Sequence, residues 1–322
     1  MAASTAVHSN AFNFLSFMQA GVDPRTGQYT VNLSMPQIKA NGLSGPVVPL
    51  SLRFNPLNQD DLGFGRGWEL PQSQFDTDKQ VIALASGESF KITGVSSIGN
   101  RLEMAEQKIQ SFHLYQDEPT LYRVVHSSGV IEMLRLEGNL ALPETLYSAE
   151  GFKVSFTYLP FNNGQRRLHT VTDGQGVTLL EINRPAQAVE ILLRPDGTPG
   201  GALARFEMKL RNSGSGDEVF EVILPTDDKD KWQFTYQTVN GLLCITEAWT
   251  PMGGHETIEY SGVGHDYPGN ARPSLPRVWK HISNPGFGQP ALEVHYDYNT
   301  RDLPGNNNFW AITHPSVGMM MG

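Results

Sequence analysis

Short β-rich runs on either side of an x-Gly pair recur along this chain, and they restrict it to one fold class. Residues 81–84 and 90–92 flank Ser86-Gly87, and residues 122–125 and 130–133 flank Ser128-Gly129. Residues 177–180 follow Asp173-Gly174-Gln175-Gly176, and residues 189–192 precede Pro195-Asp196-Gly197. Such pairs signal hairpins because glycine supplies the positive φ that a tight turn needs. With 32 Gly and 21 Pro, turns are many and long helices few. Residues 100–111 suit either a short helix or a polar strand. The expectation is an all-β fold of antiparallel hairpins stacked into a sheet strip or a partial, barrel-like shell.

The front of the chain starts such a sheet. Tyr29, Val31 and Leu33 alternate with polar neighbours, as do Leu50, Leu52 and Phe54, which is the period of half-buried strands. The turn before them is Asp23-Pro24-Arg25-Thr26-Gly27. The stretch ends in an aromatic-glycine knot, Gly63-Phe64-Gly65-Arg66-Gly67-Trp68. Phe64 and Trp68 are expected to pin the first turn of the sheet, with Arg66 stacked on one of them. Ahead of this, residues 1–20 form a tail or plug whose Phe12, Phe14, Leu15 and Phe17 need cover. Residues 21–150 read as the opening β-domain, and residues 151–322 as repeat-like hairpin units. From residue 151 an aromatic-polar-Tyr strand recurs: Phe156-Thr157-Tyr158, Phe234-Thr235-Tyr236, Ile258-Glu259-Tyr260 and Val294-His295-Tyr296-Asp297-Tyr298. The intervals between them are unequal.

Motifs with chemistry were weighed and set aside. The formal net charge of −9 argues against a nucleic-acid partner. His255-Glu256-Thr257-Ile258-Glu259 lacks the second histidine of a zinc-binding helix, and no metal or cofactor is expected. A phosphate loop must open a helix, but Pro71 follows the glycine knot too closely. Asp227-Asp228 sits in a hydrophilic turn. Cys244 is the single cysteine, so an internal disulfide is impossible, and it is read as a small buried hydrophobe. Five tryptophans (68, 232, 249, 279, 310) are compatible with a sugar platform or with core packing. No run is long enough to span a membrane as a helix, and no secretory signal is visible.

The opening stretch resembles the Rhs/YD-repeat family of bacterial polymorphic toxins and Tc-toxin B and C components. The residues that carry the likeness are Gly21, Asp23, Pro24, Gly27 and Tyr29, the Gly-Pro-x-x-Pro-Leu run of residues 45–55, and Gly63, Phe64, Gly65, Gly67 and Trp68. Tyr296-Asp297 is similar to the dipeptide that names the repeat. Arg167-Leu168-x-x-Val171-Thr172-Asp173-x-x-Gly176 is similar to the tail of one unit. The resemblance implies a non-enzymatic segment of a β-cocoon that encloses a C-terminal toxin. Its partners would be the rest of the shell or a second shell chain, the enclosed toxin domain, and a component of a secretion apparatus. It would be made in the cytoplasm and exported as part of the toxin. The family's self-cleaving aspartates and toxin domain have no counterpart in these residues, and the chain is expected to continue into further units. Two rivals stand beside this reading. A carbohydrate- or receptor-binding β-module predicts coplanar exposed aromatics. A β-rich hydrolase predicts a cleft with facing carboxylates. The shell predicts an unpaired edge strand near residues 290–320 and a concave inner face.

Overall fold

The computed structural model describes residues 18–23, 26–48, 50–94, 97–105, 107, 110–162, 164–265 and 273–298. The expectations for residues 1–17, Pro24, Trp310 and the terminal residues fall outside these. A small sheet comes first: β1 (Met18–Asp23), β2 (Gln28–Ser34), then the ribbon of β3 (Ile38–Lys39) and β4 (Val47–Val48), then β5 (Ser51–Phe54) and β6 (Trp68–Glu69). Strands β1, β2, β5 and β6 pair in that order. The sheet thus already includes residues 18–20.

Nineteen further strands form one antiparallel network. The first eight are β7 (Gln74–Asp76), β8 (Val81–Ala83), β9 (Ser89–Lys91), β10 (Arg101–Leu102), β11 (Phe112–Glu118), β12 (Leu121–His126), β13 (Ile131–Glu137) and β14 (Leu140–Tyr147). They curl round a core of their own that includes Phe75, Ile82, Phe112, Leu114, Val124 and Leu134. The curl returns to its start because β14 forks. Its first residues, Leu140 and Ala141, pair with Asp76 and Phe75 of β7, while Thr145–Tyr147 pair with the next strand. Pro143 stands at the fork, where its missing N–H leaves no ladder bond unmade. Between β9 and β10 the link is one bridge, Ile92 to Met104, flanked by Thr93 N–H to Glu103 O at 2.9 Å. Of the two readings of residues 100–111, the structure takes the strand, over Arg101–Leu102.

From the fork the chain runs as a strip. Its strands are β15 (Lys153–Phe161), β16 (Gln165–Asp173), β17 (Thr178–Asn183), β18 (Ala188–Leu193), β19 (Ala204–Asn212), β20 (Asp217–Ile223), β21 (Lys231–Val239), β22 (Leu242–Trp249), β23 (His255–His265), β24 (Leu275–Asn284) and β25 (Leu292–His295). Each pairs with its sequence neighbours, as short turns dictate, and the whole network is not closed into a barrel. Strand β25 pairs with β24, Leu292–His295 against Lys280–Ser283.

The two faces of the strip differ. Outward side chains form cross-strand ion pairs, such as Lys231–Glu221 at 2.6 Å and Arg205–Glu190 at 2.6 Å. Inward side chains, such as Val171, Ile191, Met208, Val222, Phe234 and Ile258, are buried against the small N-terminal sheet in one continuous core. Residues 29–68 therefore share a core with residues 154–278, while residues 75–141 have a separate one. The described residues thus fall into two cores.

Candidate functional site: the inner seam of the strip

The inner face of the strip carries a repeated device built on β-bulges. At five of its bulges pairing slips by one residue: at Glu144 in β14, His169 in β16, Phe220 in β20, Thr246 in β22 and Trp279 in β24. An extra residue in one strand disrupts the local ladder and re-aims the chain. In each case a side chain from the following hairpin bonds to the carbonyl just before the extra residue. Tyr158 Oη donates to Pro143 O at 2.7 Å, and Tyr236 Oη to Val219 O at 2.7 Å. Tyr260 Oη donates to Ile245 O at 3.0 Å, and Tyr298 Oη to Val278 O at 2.7 Å. At the fifth bulge an arginine takes the place of tyrosine, with Arg184 Nη1 donating to Leu168 O at 3.0 Å. Burial holds all four phenols well above their ordinary range, so each is a neutral donor.

These are the tyrosines of the recurring strand pattern, and the structure explains the unequal intervals. Donor and acceptor lie 15 residues apart in the Tyr158 and Tyr260 units. The separation is 16 with Arg184, 17 with Tyr236 and 20 with Tyr298. What recurs is the bond, and the connection between its ends varies. Across three of the bulges the buried positions step by three instead of two: Leu168 and Val171, Val219 and Val222, Ile245 and Ala248. That step is the Leu-x-x-Val of the 167–176 motif. Asp173 of the same motif closes the turn, its Oδ1 accepting from Gln175 N and Val177 N at 2.9 Å each. Its Oδ2 accepts from Asn41 N at 3.1 Å, which ties the N-terminal ribbon to the strip.

The glycine knot docks on the seam. Asp61 Oδ1 accepts from Gly63 N at 2.7 Å and Gly65 N at 3.0 Å. Arg66 N donates to Asp217 O at 2.8 Å, joining the knot to β20. These amides are occupied, which removes the phosphate-loop alternative on physical grounds. Trp68 is fully buried between Phe54 and Phe234, with ring centroids at 5.7 and 5.3 Å. Its Nε1 donates to Tyr236 Oη at 3.0 Å. Gly67 has φ +79, and a Cβ there would lie 2.5 Å from Phe54 Cε2, so only glycine fits.

Two details differ from expectation. The cation over Phe64 is Arg184, at 5.2 Å, and not Arg66, which reaches Gln59 Oε1 at 2.9 Å instead. Phe64 and Trp68 are also not a pair: they anchor the knot to two different places on the strip. Burial, with Arg167 nearby, brings the Arg184 guanidinium down to about 10. Sequence reading missed Arg184 and Asp61 because neither belongs to an apolar period.

The first turn docks at the other end of the strip. Gly27 O accepts from Val278 N at 2.8 Å, and a Cβ on Gly27 would meet Arg277 Cγ at 2.8 Å. Arg277 in turn lies 4.6 Å from the Tyr298 ring. Tyr29 Oη donates to Glu256 Oε2, which also engages His281 Nε2 at 3.1 Å. Strand alternation sends His255 to the opposite face, stacked on Trp249 at 4.8 Å. The His255–Glu259 segment therefore cannot converge on one ion, and no cluster of three metal-ligating side chains exists among the described residues. Gly21 and Asp23 lie in β1, facing Thr30 and Gln28. Tyr296 packs on the main core and Asp297 is exposed. Asp227 and Asp228 are exposed in the β20–β21 turn. Burial pushes the Cys244 thiol up to about 12. Trp68 and Trp232 are core residues.

No family model matches the chain and no curated protein matches it. Solved structures do resemble it. TcdB2-TccC3 is 10% identical with a TM-score of 0.50, over 91% of this chain and 21% of that one. TcdB2-TccC3-Cdc42 gives 11% and 0.49, over 91% and 19%. The N-terminal domain of the effector protein SpvB from Salmonella typhimurium strain LT2 gives 10% and 0.35, over 82% and 100%. The chain spans about a fifth of the first of these. That likeness is one of fold.

Proposed function

We propose that this chain is a structural β-shell segment of an Rhs/YD-repeat toxin-type protein that helps to enclose or deliver a toxin. The observation that carries this is the strip itself: tyrosine-bonded hairpin units in series, buried on one face and charged on the other, in a sheet that is not closed into a barrel. The edge of such a sheet takes up further strands readily. The partners in this reading are further shell strands, from the same or a second chain, and an enclosed toxin domain, with a secretion component in delivery. The role is architectural, with no catalytic step, and the assembly is exported. Mass spectrometry of the native gene product tests it. The expected result is these residues within a longer polypeptide, or in a stable complex that also holds a toxin domain. A free monomer of this chain alone would overturn the reading.

A further inference from the structure

Between the N-terminal ribbon, the curl and the first strand of the strip lie two adjoining hollows of about 260 and 270 Å³. They share Ser73, His126 and Glu132. The Glu132 side chain is only 12% exposed. Its Oε1 accepts from Ser73 Oγ at 3.0 Å and engages His126 Nε2 at 2.6 Å. Ser73 is almost fully buried and is itself fixed by Ala85 N–H at 3.2 Å. The carboxylate is thus held in one orientation, and Oε2 has no hydrogen-bond partner among the described residues. Among the described residues no lysine or arginine lines either hollow, and the other acid is Glu88. The larger hollow is walled by Val48, Leu50, Leu146, Phe156 and Leu168. A carboxylate held through one oxygen by Ser73 and His126, with the other open to the hollow, favours a cationic donor.

We propose that this hollow binds a small amphipathic monoamine, its ammonium on Glu132 Oε2 and its apolar body against Phe156, Leu146 and Leu168. An aromatic body suits the Phe156 ring. The site is independent of the shell role and stands or falls separately.

The test uses the full chain with labelled Leu and Val methyls, observed by NMR. Titration with 2-phenylethylamine should give saturable shifts at Val48, Leu50, Leu146 and Leu168. Neutral 2-phenylethanol, of the same shape, should bind at least about tenfold more weakly. Glu132→Gln should reduce the amine to the level of the alcohol. Val130→Trp, which fills the hollow from a half-buried position and leaves the polar group intact, should abolish the shifts in a folded protein. Equal binding of amine and alcohol would overturn the proposal, as would undiminished binding by folded Val130→Trp. So would preferential binding of N-acetyl-lysine methylamide, which would mark a docking site for a polypeptide side chain.

Discussion

The curl and the strip are built from the same kind of hairpin but reach stability differently. The curl closes on residues between Phe75 and Ala141, so its core is assembled from near neighbours in sequence. The strip's inner face is filled from residues 29–68, which come from far away along the chain. Non-local contacts of this kind demand loop closure before they repay it. The comparison teaches that one core is self-sufficient in sequence, whereas the other depends on a tethered insert. The knot at residues 63–68 is what fastens that insert to the strip.

Trp68→Ala should show the difference most strongly. It empties the centre of the strip's core and should cost about 3–5 kcal/mol, measured by denaturant unfolding. Hydrogen exchange should place the loss in β19–β24 and leave β11–β13 protected. Equal loss in both regions would mean that the cores unfold as one. The reciprocal change, Leu114→Ala, should cost about 2–5 kcal/mol and expose β10–β13 first. Tyr236→Phe removes the bond to Val219 O and the acceptor for Trp68 Nε1. It should cost about 1–3 kcal/mol, more than Tyr260→Phe, whose hydroxyl serves one carbonyl.

Asp173 tests the tie between ribbon and strip by pH. Burial alone would raise its carboxyl, but the N–H groups of Val177, Asn41 and Gln175 outweigh that and hold it below the ordinary value. A folded value below the unfolded one stabilises fully above the ordinary carboxylate range. That contribution is lost as pH falls through the folded value. Asp173→Asn should therefore flatten the stability–pH curve below about pH 5, seen in acid titrations followed by tryptophan fluorescence. The smallest effect is expected at Lys229, which has φ +52 without being glycine. Lys229→Gly should raise the melting temperature slightly, corresponding to up to about 1 kcal/mol.

The strands were readable because apolar alternation and x-Gly turns are local signals. The alternation of Tyr29, Val31 and Leu33 and the hairpin at Ser128-Gly129 both appear in the structure. The seam was only half readable. Tyr158, Tyr236 and Tyr260 stood out as a pattern, but the partner of each hydroxyl is a backbone carbonyl, which has no letter in the sequence. Arg184 was invisible because it performs a tyrosine's task with different chemistry. The partner of the knot was equally hidden, since Arg66 and Asp217 meet only through the backbone. The Ser73–His126–Glu132 group joins β12, β13 and a loop between the two cores. No spacing within one segment could announce it.

The bond between a tyrosine and a bulge carbonyl fixes both ends of a hairpin unit while leaving its tip unconstrained. Separations from 15 to 20 residues are already accommodated without loss of the bond. The hairpin tips are therefore the places where this chain tolerates insertion. The exposed 227–229 turn should accept a foreign peptide while the strands on either side keep their register.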